Sequence, residues 1–287
     1  MSWQTLIDVP SLMAEMARQA SSDTPLVLVD CRFDLSDPAA GERAYLAGHL
    51  PGARYAHLDR HLSDLSREGR GRHPLPEAQA FCVELASWGI TPAHQVVAYD
   101  AHGGVFAARL WWMLRLLGHR DVAVLDGGLP AWVAQGGELE RSIPRPRPGH
   151  YKARFDIREI VTTAVVAARI ASGGGMLLDA RAPERFRGEV EPLDARAGHV
   201  PGAVNHCFKD NLAADGSFLP APELAENFHT LLGAVPAGEV VHMCGSGVTA
   251  CHNLLAMEHA GLRGSRVYAG SWSEWVSEPS RPIALGA

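Results

Sequence analysis

The chain of 287 residues lacks any long apolar run: nothing in it approaches the ~18 residues that a membrane-spanning helix requires. Its opening residues, Met1-Ser-Trp-Gln-Thr-Leu-Ile-Asp8, have neither the basic start nor the apolar centre of a secretion signal, so a cytoplasmic address and no membrane partner are expected. Cysteine is scarce as well. Cys31, Cys82, Cys207, Cys244 and Cys251 are odd in number and form no C-x2-C pair, which argues against a disulfide framework and against a zinc site. The 14 histidines show no metal-ligand spacing, and neither a metal nor a cofactor is expected. Positive charge is in deficit too. With 26 Lys and Arg against 32 Asp and Glu, the formal net charge of -6 gives no footing for nucleic acid or an anionic membrane.

What the chain does have is enough apolar material, 47% of its residues, for two cores, and its length exceeds that of one typical domain. It also states one pattern twice. Leu26-Val-Leu-Val-Asp30-Cys31-Arg32 recurs as Met176-Leu-Leu-Asp179-Ala-Arg181, and Gly48-His-Leu-Pro-Gly-Ala53 as Gly198-His-Val-Pro-Gly-Ala203. Val96-Val-Ala-Tyr-Asp100 answers Val240-Val-His-Met-Cys244, and Asp126-Gly-Gly-Leu-Pro-Ala-Trp132 answers Ala269-Gly-Ser-Trp-Ser-Glu-Trp275. Four matches in one order indicate a duplicated domain. Within each half, short apolar runs alternate with helical patterns, the mark of an α/β fold with a mostly parallel sheet flanked by helices. Asp8, with Pro10 and Ser11, opens one helix; Thr162 or Thr163 opens its counterpart, which stops at Gly173. Ser142-Ile-Pro-Arg-Pro-Arg-Pro-Gly149 reads as extended polyproline-like chain. The expected organisation is therefore residues 1–140 as one domain, 141–156 as linker and 157–287 as the second domain. Trp111, Trp112, Trp132, Trp272 and Trp275 lie in or after helical patterns and are expected to pack in a core or at a domain interface.

Cys244 stands apart from the other thiols. It ends an apolar strand and precedes Gly245-Ser246-Gly247-Val248-Thr249, a loop that opens a helix. Two glycines let the backbone curl so that its amides point inward, and the helix adds the positive end of its dipole. Such a setting favours a thiolate and hence a nucleophile. The first half carries Asp100 at this place, followed by the longer Ala101-His-Gly-Gly104. A carboxylate cannot do thiol chemistry, so the first domain is expected to be catalytically inactive.

The order Asp-x-Arg, Arg185-Phe-Arg-Gly188, Gly-His-Val-Pro-Gly-Ala, Cys244-Gly-Ser-Gly-Val-Thr249 and Gly270-Ser-Trp-Ser-Glu-Trp275 resembles the tandem rhodanese-type sulfurtransferases over nearly the whole chain. The active loop is similar to that of the 3-mercaptopyruvate sulfurtransferases rather than to the Cys-Arg-Lys-Gly-Val-Thr loop of the thiosulfate enzymes. The resemblance implies two tandem rhodanese-like domains, a small-molecule sulfur donor, a persulfide on Cys244, and a thiol such as thioredoxin, or cyanide, as acceptor. It implies that Arg185 binds the donor's carboxylate and that the loop from Gly245 through Thr249 surrounds the sulfur. It also matches Ser246, His73 in Arg72-His-Pro-Leu75 and Asp59 in His57-Leu-Asp59 to a Ser-His-Asp proton relay; the competing reading makes each a plain loop hydrogen-bonder. One departure is visible: Leu193 stands where a second donor-binding arginine is expected, and Arg196 either reaches the same carboxylate or is a surface charge.

Two donors are in play. Thiosulfate is a dianion whose leaving sulfite benefits from cationic side chains beside the cysteine, and Gly245 and Ser246 supply none. A phosphatase of related fold needs an arginine six residues after its cysteine; that position is Ala250. A non-catalytic persulfide carrier remains the other alternative.

Overall fold

The computed structural model describes residues 2–18 and 25–286 and divides into two compact units. The first comprises Met1–Asp64, Pro76–Asp156 and Ala214–Phe218; the second comprises Leu65–Leu75, Ile157–Ala213 and Leu219–Ala287. Neither is one continuous stretch of chain.

The first unit runs β1 (Leu6–Ile7), α1 (Val9–Arg18), β2 (Leu26–Asp30), α2 (Ala40–Ala47), β3 (Arg54–Tyr55), α3 (Leu58–His61), α4 (Ala78–Ser87), β4 (Gln95–Tyr99), α5 (Ala107–Leu116), β5 (Val122–Leu125) and α6 (Gly128–Ala134). Its sheet has the order β1-β5-β4-β2-β3, and every pair is parallel. The second unit repeats the plan with β6 (Ile160–Val161), α7 (Thr163–Ser172), β7 (Met176–Asp179), α8 (Pro183–Phe186), β8 (Val204–Asn205), α9 (Ala221–Leu232), β9 (Val240–Met243), α10 (Thr249–His259), β10 (Arg266–Tyr268) and α11 (Ser271–Trp275). Its sheet order, β6-β10-β9-β7-β8, is the same with each strand replaced by its repeat, and again all pairs are parallel. The chain is thus two α/β domains of one design, and residues 142–149, within the first unit, carry neither helix nor strand.

Parallel strands covered by helices on both faces have no polar side to show, which is why β4 and β9 are buried at every residue. The helices that follow them, α5 and α10, are buried on nearly all sides. Asp8 caps α1 by accepting the Ser11 N–H at 2.7 Å, and Thr162 caps α7 by accepting that of Val165 at 3.4 Å, with Gly173 in the left-handed conformation at its end. All five tryptophans singled out above are buried. Trp132 packs with Val97, Tyr99 and Leu125, while Trp272 and Trp275 pack with Val241, Met243 and Tyr268.

The repeated Asp-x-Arg motif has one task in both units. Arg32 lies along the Asp30 carboxylate (Nη2 to Oδ2, 2.6 Å) and reaches the Gly48 carbonyl at 2.7 Å; Arg181 does the same with Asp179 (2.7 Å) and Gly198 (2.7 Å). A buried, fully hydrogen-bonded ion pair thereby ties the end of a central strand to the Gly-His turn. Among the described residues no helix is long and apolar enough to cross a membrane.

Candidate active site

Cys244 leaves the carboxyl end of β9, the middle strand of its sheet, where open α/β sheets place their ligands. Its Sγ accepts the Gly247 N–H at 3.1 Å. The main chain around it is fixed from the α11 side: Cys244 N–H donates to Ser271 Oγ (3.1 Å), its carbonyl accepts the Trp272 N–H (3.0 Å), and the Gly245 carbonyl accepts that of Ser273 (2.9 Å). Gly247 has φ 77°, and a Cβ there would lie 2.2 Å from the Ala269 oxygen, so the turn admits glycine alone. Val248 is buried as the last loop residue and Thr249 begins α10.

Ser271 is the only non-glycine residue with positive φ among those described, at 53°. Its hydroxyl donates to the Tyr268 carbonyl (2.8 Å) while accepting from Cys244. The sequence reading found the motif around Ser271 but not this role.

Ser246 is buried, with its Oγ 2.7 Å from His73 Nδ1. His73 and Arg72 belong to the stretch Leu65–Leu75, which is part of the second unit. Arg72 N–H donates to Ser273 Oγ at 2.9 Å, fastening that stretch to the residues that hold the cysteine loop. Asp59 lies in α3 of the first unit, where its N–H donates to His57 Nδ1 at 3.1 Å.

Arg185, at the end of α8, donates through Nη2 to Glu191 Oε1 (2.6 Å) and Asp194 Oδ2 (3.4 Å). Arg72 Nη1 donates to the other Asp194 oxygen. Burial pushes the Asp194 carboxyl above its usual range, and Glu191 adds to this, while Arg72 and Arg185 oppose it. A Cβ built on Gly245 would meet Arg72 Nη2 at 3.0 Å and the two Nη atoms of Arg185 at 3.6 and 3.7 Å. Gly245 and Ser246 supply no cation of their own, and those beside the loop come from Arg72 and Arg185. Sequence reading passed over Arg72 because no local pattern marks it. Arg196 has a different employment: its Nη1 donates to the carbonyls of Pro279 (3.1 Å) and Arg281 (3.3 Å), holding the C-terminal segment. Leu193 is exposed.

The remaining thiols are buried. Burial pushes Cys31, Cys82 and Cys207 up, away from thiolate, and Cys251 S–H donates to the Gly247 carbonyl at 3.2 Å. At the equivalent place in the first unit, the Asp100 carboxylate accepts four main-chain N–H groups, from His102 (2.7 Å), Gly104 (3.0 Å), Phe106 (2.8 Å) and Ala107 (3.0 Å). That carboxylate fills its own cradle.

The model of the rhodanese-like domain matches the chain twice, over residues 13–135 and 162–278. A Pseudomonas aeruginosa protein described as a probable 3-mercaptopyruvate sulfurtransferase is 48% identical over 277 residues, covering 96% of this chain and 98% of that one. The thiosulfate sulfurtransferase of Cricetulus griseus is 32% identical over 281 residues, covering 96% and 93%. Among solved structures, 3-mercaptopyruvate sulfurtransferase from Leishmania major superposes with a TM-score of 0.84 at 32% identity, covering 97% of this chain and 75% of the other. Two domains of one topology, a single cysteine loop at the end of the second sheet's middle strand and likenesses that span nearly all of this chain lead to one conclusion: the chain belongs to the rhodanese-like family, as a two-domain sulfurtransferase.

Proposed function

We propose that the protein moves a sulfane sulfur from 3-mercaptopyruvate, through a persulfide on Cys244, to a thiol acceptor. The observation that carries this reading is the 2.7 Å pair of Ser246 Oγ and His73 Nδ1 in the loop beside the nucleophile. The Cys244 thiolate attacks the donor's thiol sulfur; an S–S bond forms, the C–S bond breaks, and the electron pair leaves as the enolate of pyruvate. That enolate needs a proton at carbon, and a hydroxyl backed by an imidazole can deliver one. Sulfite leaving from thiosulfate has no such need. Asp59 as the third member of the relay rests on the resemblance of its sequence position. The Gly247 N–H on Cys244 Sγ supports a charge-stabilising role toward the persulfide. Arg185 supports anchoring of a carboxylate. An acceptor thiol, of the thioredoxin kind, then takes the outer sulfur and returns Cys244 to thiolate, and a cytoplasmic setting suits that exchange.

The test is steady-state kinetics with mercaptopyruvate and thiosulfate on one preparation. The expected kcat/KM favours mercaptopyruvate by at least about tenfold, or about 1.4 kcal/mol of differential transition-state binding. A preference for thiosulfate would move the assignment to the second donor.

A further inference from the structure

Arg72 takes no part in the chemistry just described, yet three restraints hold its guanidinium at the cysteine loop. Its main-chain N–H is bonded to Ser273 Oγ, Gly71 before it fits so closely that a Cβ would lie 2.6 Å from the Gly270 carbonyl, and its Nη1 is paired with Asp194. The head of Arg185 points at the same spot, and both approach the position of a Gly245 Cβ, directly after the nucleophile. Like charges brought together in this way repel, and the Asp194 carboxylate between them, accepting from Arg72 at one oxygen and from Arg185 at the other, offsets the repulsion. Each arginine has donor capacity left over. The Nε atoms of Arg72 and Arg185 are also buried with no hydrogen-bond partner among the described residues, so neither head is fully committed to protein acceptors.

We infer that Arg72 is a donor-binding residue that forms, with Arg185, a two-arginine clamp for the anionic group of the sulfur donor. The guanidinium presents paired N–H groups on a flat edge that a carboxylate matches with its two oxygens. Arg72 thus supplies the second cation that Leu193 cannot, from a segment far away in sequence. The identity of the anion as the mercaptopyruvate carboxylate rests on the proposed function; the existence of the clamp does not.

Cys244 alkylation separates the two. Iodoacetate and iodoacetamide react with the same thiolate by displacement of iodide, but only the first carries a carboxylate. In the full-length protein, with labelling at Cys244 followed by peptide mass, Arg72→Ala should lower the iodoacetate rate about tenfold relative to iodoacetamide, and Arg72→Lys about threefold, because an ammonium keeps the charge without the flat edge. Because the ratio is taken on one thiol, any change in thiolate fraction cancels. The same Arg72→Ala should raise KM for mercaptopyruvate about tenfold with kcat little changed. Arg72→Gln, whose side-chain amide keeps a neutral donor beside Asp194, serves if the alanine variant lowers Tm. A ratio unmoved in the Arg72 variants but lowered by Arg185→Ala overturns the clamp. A ratio that falls in a protein that does not turn over mercaptopyruvate leaves the clamp standing and removes the proposed donor instead.

Discussion

Ser271 is held in a backbone conformation that costs a non-glycine residue on the order of 1–3 kcal/mol, and its hydroxyl lies under the main-chain N–H of Cys244. At the matching place in the first unit, where no thiol is to be positioned, Gly128 takes a similar φ of 57° without strain. Strain is thus found beside the proposed nucleophile and is absent at the equivalent place beside Asp100. At this scale, Cys244→Ser should abolish sulfur loading, read as loss of the single added sulfur in intact-protein mass spectra after donor treatment; loading that persisted would reject the nucleophile. Ser246→Ala and His73→Asn should each lower kcat with mercaptopyruvate by about 10²-fold, the usual worth of a positioned proton donor, and lower it much less with thiosulfate. Equal losses with both donors would mean that the Ser246–His73 pair only shapes the loop.

Asp100 sets the character of α5 as Cys244 sets that of α10. Its carboxylate collects N–H groups of the 101–106 loop and of the first residue of α5, groups that a helix start leaves without intrahelical acceptors. Asp100→Ala should therefore destabilise the protein by about 3 kcal/mol, since buried donors would lose a charged acceptor; denaturant unfolding measures it, and a change below about 1 kcal/mol would refute the role. Asp100→Cys should not bind a second sulfur, because the loop it heads runs over 101–106 where that of Cys244 runs only over 245–248. Elements such as this were legible in the sequence because their determinants are local: a strand, a glycine turn and a helix within a short span, written twice. The Asp30–Arg32 and Asp179–Arg181 pairs were visible as a repeat for the same reason. Arg72 was not, because its partners Asp194 and Ser273 lie 122 and 201 residues away and nothing in Gly-Arg-His-Pro announces them. His73 meets Ser246 across 173 residues, a pairing that only family resemblance could suggest. Arg196 had a suitable sequence position but went to the C-terminal carbonyls, a choice that depends on where residues 279–281 lie.

For the whole molecule, buried and half-buried neutral imidazoles set the response to acid. Burial holds His61 down at about 4 and His242 at about 3, from an ordinary 6.5, and lowers His57, His94 and His119 in the same direction. In the unfolded chain these groups take up protons below about pH 6.5, while in the fold they do so only at lower pH, so the unfolded state binds more protons in between. The stability they contribute is complete above about pH 6.5 and drains away as pH falls toward about 4. Thermal scans should show Tm falling steadily between about pH 7 and about pH 5; a flat Tm would show that these imidazoles ionise as freely in the fold as out of it.

Residues Leu65–Leu75 stand in the chain between α3 and α4 of the first unit but belong to the second, while Ala214–Phe218 make the opposite crossing. A gene shortened to the codons for residues 157–287 would encode the proposed nucleophile Cys244, its glycine turn and Arg185, yet omit His73 and Arg72 altogether. On the proposed roles of His73 and Arg72, the copy that carries Asp100 in place of a cysteine is therefore not spare material that could be trimmed away. Selection on the proposed catalysis would reach it through one short segment, and would keep the two copies inherited together.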